Sequence, residues 1–217
     1  MPSFDVKLQF DILEKQSHNV IKNNNADLFK ISDSSSGTNE LTSYVKGTKL
    51  YMVLNMNEYQ FAFYNSVKIE WSYTLNGETT TDSYTFTSKK DWNPIQSAPD
   101  CDLTFTLILS EPTEKVTINK EDTDQKAKLG ISTSYSSYDF FDFGDNFEIK
   151  KGKGLYAVLT SYETSDFSGG KYVINITNSD TNEIVKTLNI TSSYGSKYVY
   201  FTADSNLIIS LTYVQNN

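Results

Sequence analysis

Residues able to do chemistry are scarce in this chain of 217 residues. It holds one His (His18) and one Cys (Cys101), which excludes a zinc centre of Cys and His ligands and any disulfide within the chain. No P-loop, Gly-x-Ser-x-Gly elbow or His-Glu-x-x-His segment occurs. Gly152, Gly154 and Ala157 fit the spacing of a dinucleotide fingerprint, but that chemistry needs the glycines to open a helix whose amides hold pyrophosphate. Here they lead into an apolar alternation typical of a strand, so they read as a turn. His18 sits in the polar run QSHNVIKNNN and reads as a solvated imidazole in a loop. Cys101 reads as a small, partly buried side chain at the start of a strand. No carboxylate pair stands out from the other acids, so the chain reads as no enzyme.

The densest functional feature is YSSYDFFDFGDNF, residues 135–147. Asp139, Asp142 and Asp145 recur at every third position and could converge on calcium, a hard cation that takes six to eight oxygens from carboxylates and loop carbonyls. The spacing is not that of an EF-hand, and no other cofactor is expected. Tyr135, Tyr138, Phe140, Phe141 and Phe143 are candidate anchors for a protein contact or for sugar stacking; the competing reading is a strand with alternate aromatics in a core. A second aromatic stretch, EYQFAFY at residues 58–64, adds Tyr59, Phe61 and Phe63.

Charge narrows the partners. All 19 basic residues are Lys, and the net charge is -8. Without the planar fork of Arg, and with a field that repels polyanions, neither nucleic acid nor an anionic membrane is an expected partner. The first ten residues alternate polar and apolar types with no continuous apolar stretch, so they read as no signal peptide, implying a cytoplasmic protein or one exported by a non-classical route. Apolar runs are too short for a transmembrane segment.

The elements that must position these residues come from a duplication. KGTKLYMVLNMNE at 46–58 and KGKGLYAVLTSYE at 151–163 share seven of thirteen residues at a shift of 105. Residues 66–78 likewise fall opposite 171–183, and 99–111 opposite 203–215 at a shift of 104. The counterpart of 58–64 has lost most of its aromatics, as a loop serving one domain's contacts would. Nearly every apolar stretch alternates with period two, predicting strands near 6–13, 28–32, 49–55, 67–75, 83–87 and 102–109. In the second half they fall near 115–119, 129–134, 155–160, 172–178, 184–191, 198–202 and 207–214. Turn dipeptides such as Asn76-Gly77 separate them. The fold class is therefore all-β: two tandem antiparallel β-sandwiches, loosely immunoglobulin-like, spanning 1–112 and 113–217 and related by internal duplication. The predicted first core is Leu50, Val53, Leu54, Ile69, Trp71, Leu103 and Leu107; the second is Leu155, Val158, Leu159, Ile174, Ile176, Leu207 and Leu211. LYMVL and LYAVL read as central strands buried on both faces.

Such a chain reads as a non-catalytic binding or adhesion protein acting through loops and aromatic patches, with calcium assistance. The alternatives are a self-assembling structural subunit, then a pore-forming, toxin-like protein. If 135–147 is a contact segment, Phe140→Ala plus Phe141→Ala will abolish association with a partner while thermal unfolding stays unchanged. Calcium heats in calorimetric titration will disappear in Asp142→Asn plus Asp145→Asn.

Overall fold

A computed structural model describes residues 15–122, 127–133, 146–195 and 197–216. The strand predicted at 6–13 lies outside them. The first copy of the repeat runs β1 (Ser17–Asn23), a 3-10 turn (Ala26–Leu28), β2 (Phe29–Ser32), β3 (Ser43–Val45), β4 (Leu50–Leu54), α1 (Glu58–Phe63), β5 (Ser66–Leu75), β6 (Glu78–Thr85), β7 (Trp92–Ile95) and β8 (Leu103–Ser110). The second runs β9 (Lys115–Asp122), β10 (Lys128–Ser132), β11 (Asn146–Lys150), β12 (Lys153–Ser161), α2 (Asp166–Gly169), β13 (Gly170–Asn178), β14 (Ile184–Ile190), β15 (Tyr198–Ala203) and β16 (Leu207–Gln215).

Each copy forms a five-stranded and a three-stranded sheet. In the first copy their orders are β3-β1-β8-β5-β6 and β2-β4-β7; adding eight to each number gives the orders in the second, β11-β9-β16-β13-β14 and β10-β12-β15. Both five-stranded sheets contain one parallel pair, made by the first and last strands of the copy. Val20 lies opposite Leu103 in one and Ile118 opposite Leu207 in the other. The protein is thus two tandem β-sandwiches of one topology, as the duplicated sequence requires.

Period-two alternation dictates which side chains meet between the sheets. On β5, Ile69 and Trp71 point inward; on β4, Leu50, Met52 and Leu54 do, and Leu103, Phe105 and Leu107 complete the first core. Tyr172, Ile174 and Ile176 with Leu207, Ile209 and Leu211 face Leu155, Ala157, Leu159 and Phe201 in the second. Two expected core residues lie elsewhere: Val158, buried but on the outer face of β12 opposite Tyr198, and its counterpart Val53. Val53 sits on the outer face of β4, half-buried, where the turn at Gly37 covers it: a Cβ added at Gly37 would lie 3.1 Å from Val53 Cγ1. LYMVL and LYAVL are central strands, but their outer faces are only partly covered, with Tyr51, Val53 and Tyr156 half-buried there.

By contacts the chain divides into two compact units. One takes the described residues up to Asn55 together with Lys68–Thr85 and Lys90–Ile108; the other takes Met56–Val67 and Phe86–Lys89 along with everything from Leu109. Helix α1 therefore belongs to the second unit. Its start is fixed by a capping box in which Asn57 Oδ1 accepts the Gln60 amide and Gln60 Oε1 accepts the Asn57 amide, both at 2.8 Å. Ala62 joins the second unit's core, with Tyr59 and Phe63 packed against it. Among the described residues no helix is long and apolar enough to cross a membrane.

Trp71 is 9% exposed, so its truncation leaves a large void between the sheets of the first unit. Trp71→Ala is expected to destabilise that unit by about 3–5 kcal/mol, read as a lowered denaturant midpoint.

Candidate functional site

The three-stranded sheets carry aromatic residues on their outer faces, at matching positions in the two copies. Residues directly opposite in an antiparallel ladder point to the same side. Val53 pairs with Trp92 and Tyr51 with Pro94 in the first copy; Val158 pairs with Tyr198 and Tyr156 with Tyr200 in the second. Tyr51 and Trp92 meet edge to face with ring centres 5.4 Å apart and planes at 65°. Tyr156 meets Tyr198 at 5.7 Å and 78°, and Tyr200 at 5.2 Å and 60°. Trp92, Tyr198 and Tyr200 are 44%, 40% and 46% exposed, although each ring alone could have been sunk into a core.

The two patches are steadied differently. Lys49 places its ammonium 5.1 Å from the Tyr51 ring centre. Its repeat counterpart is Gly154, where a Cβ would stand 2.5 Å from the Tyr200 hydroxyl; the missing side chain is what lets Tyr200 lie across β12. Lys186 covers Tyr200 at 5.7 Å. Such contacts hold a ring in one orientation while leaving part of its surface in water.

Residues 135–145, with Tyr135, Tyr138, Phe140, Phe141, Phe143, Asp139, Asp142 and Asp145, lie outside the described residues. The strands that flank them, β10 and β11, belong to different sheets of the second copy. Phe147 is buried and meets Tyr59 edge to face at 5.1 Å. The Tyr59 hydroxyl donates to the Glu148 carbonyl, and burial raises the phenol above its usual range. Phe63 packs under the Lys115 ammonium at 4.9 Å. Phe61 borders a shallow hollow with Lys150 and Lys153, where burial, then the neighbouring Lys150, lowers the Lys153 ammonium. Among the described residues no group of three His, Cys, Asp or Glu side chains converges as metal ligands. Trp92, Tyr198 and Tyr200 escaped the sequence reading as site residues because alternation marks a side without saying which side faces water.

His18 is the other departure. It stands on β1 rather than in a loop and is 5% exposed. Its Nε2 is 2.9 Å from Asp100 Oδ1, Lys46 Nζ is 3.2 Å from Asp100 Oδ2, and the imidazole tilts against the Tyr44 ring at 5.8 Å. Tyr44 donates to the Cys101 carbonyl, and burial, reinforced by Cys101, Asp102 and Asp100, drives its phenol far above the usual range. Burial also raises the Cys101 thiol, with Asp102 and Asp100 adding to it, so that sulfur stays protonated and a poor nucleophile. The second copy fills the positions of His18 and Tyr44 with Val116 and Ile149, again paired across the ladder. The sandwich itself does not need the polar pair, which in the first copy ties β1 and β3 to residues 100–101.

Bonds from His18 and then Lys46 hold the Asp100 carboxyl below its ordinary range. A carboxyl depressed on folding adds stability that is complete above its unfolded pKa, about 3.9, and is lost as pH falls through the folded value. Asp100→Asn is therefore expected to lower the first unit's denaturant midpoint near neutrality and to leave a smaller further loss than wild type on titration through the carboxylate range into acid.

No protein-family model matches this chain, and no curated protein matches it either.

Proposed function

We propose that this is a non-catalytic binding protein whose two domains each offer an aromatic patch to a protein or glycan surface. The observation that carries the reading is the recurrence of a half-exposed, edge-to-face pair, Tyr51 with Trp92 and Tyr156 with Tyr198, on the outer face of the three-stranded sheet in both copies. Aromatic side chains bury large area on contact while losing few rotamers, which is why Tyr and Trp dominate contact hot spots. Partly exposed rings also keep apolar area in water, a cost that a partner relieves. Two like patches on one chain suit a partner that presents its own feature repeatedly, because the second contact then forms at high effective concentration. Adhesion assisted by calcium on Asp139, Asp142 and Asp145, with Tyr135, Tyr138, Phe140, Phe141 and Phe143 as a further contact, belongs to the same proposal.

A self-assembling subunit is the second reading, favoured by Ile184 and Val185, which are 62% and 50% exposed on β14, an edge strand. Aliphatic side chains on an open edge invite pairing with another copy.

Retention on immobilised polysaccharides and glycoproteins tests the first reading. The wild-type chain should be held on at least one surface, and Tyr51→Ala plus Trp92→Ala, or Tyr156→Ala plus Tyr198→Ala, should each weaken retention at least about tenfold without changing the melting temperature. Equal retention of wild type and both variants would refute it. Light scattering decides the second reading, since an assembly through β14 must dissociate in Val185→Lys.

A further inference from the structure

We infer that the first unit contains a binding cleft for a neutral sugar ring, separate from the outer aromatic patches. The cleft opens along the side of the sandwich where edge strand β6 of one sheet faces edge strand β7 of the other, and has a volume of about 380 Å³, open to solvent on one side. That volume suits a small cyclic ligand. Its floor is Trp71 and Tyr73 on the inner side of β5. In the ladder Trp71 lies opposite Asp82 and Tyr73 opposite Thr80, so the carboxylate and the hydroxyl point into the same space as the rings. Asn93 and Gln96 close the far side.

A pyranose has an apolar face of C–H bonds and a rim of hydroxyls that both donate and accept. Aromatic rings suit the face; a carboxylate and two carboxamides suit the rim, because they can engage neighbouring hydroxyls in pairs. The Ser83 amide donates to Asp82 Oδ1 at 2.7 Å and fixes that carboxylate, and among the described residues no ammonium pairs with it. A methylated ammonium would also value the rings and the acid, but it would leave Thr80, Asn93 and Gln96 without use. The net charge of -8 disfavours acidic sugars, which leaves neutral ones.

The second copy shows that the sandwich does not require this arrangement. There Ile176 stands opposite Lys186 where the first copy has Trp71 opposite Asp82, and Lys186 reaches across to the Tyr200 ring. Asn178 replaces Tyr73, and its side chain is occupied by Ser205 and the amides of Asp180 and Thr181. The same gap between sheets is thus bridged by a lysine in one domain and lined for a ligand in the other.

The chain has two Trp, so Trp92→Phe leaves Trp71 as the sole indole and its emission as the reporter. Titrating this full-length protein with glucose, galactose, mannose and N-acetylglucosamine should give a saturable shift with at least one of them. Asp82→Asn and Tyr73→Ala should each weaken that affinity at least about tenfold, the loss expected for one hydrogen bond to a charged group or one stacked ring. Asp82 is exposed, so its variant keeps the test decisive if Tyr73→Ala fails to fold. The inference is overturned if no sugar saturates the signal, if Asp82→Asn binds as well as its parent, or if choline saturates the signal in place of the sugars. Because no outer-patch residue lines the floor, its failure leaves the proposed patches standing, and theirs leaves the cleft.

Discussion

Each domain depends on its last strand lying parallel to its first. β8 is made more than eighty residues after β1, and β16 stands likewise to β9, so the pairing closes almost the entire copy into one loop. Loop closure of that length carries an entropic cost that nothing local offsets. The same side-chain device pins the register in both copies: Asp102 Oδ1 accepts the Asn19 amide at 2.7 Å, and Asn206 Oδ1 accepts the Thr117 amide at 2.9 Å. A slip of one residue would turn Leu103, Phe105 and Leu107 toward water. With register held, β1 and β9 sit inside their sheets, and the three-stranded sheet has a flat apolar layer to cover.

That dependence explains what the sequence disclosed and what it hid. The alternation of Val67, Ile69 and Trp71, or of Tyr172, Ile174 and Ile176, is strong because those strands lie in sheet interiors and bury one whole side. β1 carries the pattern only through His18 and Val20, and an imidazole does not register as apolar, so a strand central to the sheet reads as a polar loop. β3 and β7 are too short, or too near an edge, to show a period, and the alternation of β11, NFEIK, is masked by the aromatic run that precedes it. Helix α1 had a legible signal in Asn57 and Gln60 three residues apart, overshadowed by the aromatics that follow. The outer patches and the cleft were not legible at all. Both arise from residues adjacent only across a ladder, β4 with β7, β12 with β15 and β5 with β6, and spacing along the chain does not reveal those registers.

The two copies serve as controls for one another. Where both place the same chemistry on the same backbone position, as at Asp102 and Asn206, the fold supplies a sufficient reason. Where they differ, the fold has no preference. His18 and Tyr44 against Val116 and Ile149 give a polar tie in one domain and plain packing in the other. Lys49 against Gly154 steadies one ring with an ammonium and admits another by removing a side chain. Trp71, Tyr73 and Asp82 against Ile176, Asn178 and Lys186 leave one flank lined with ligand-type groups and the other crossed by a lysine. Duplication supplied a second scaffold, and the side chains above the shared backbone have diverged where the backbone has not.

The membership of α1 in the second unit has a consequence for the order of folding during synthesis. The helix leaves the ribosome long before β13 and β16, whose side chains belong to the core that receives Ala62. Through that interval Tyr59, Ala62 and Phe63 have no native place to go, while the strands on either side of them are already free to pair. A six-residue helix is too short to persist by itself, so this stretch waits as an unstructured apolar loop of the growing chain. Through that wait it is open to a holding chaperone, and to a neighbouring copy on the same message.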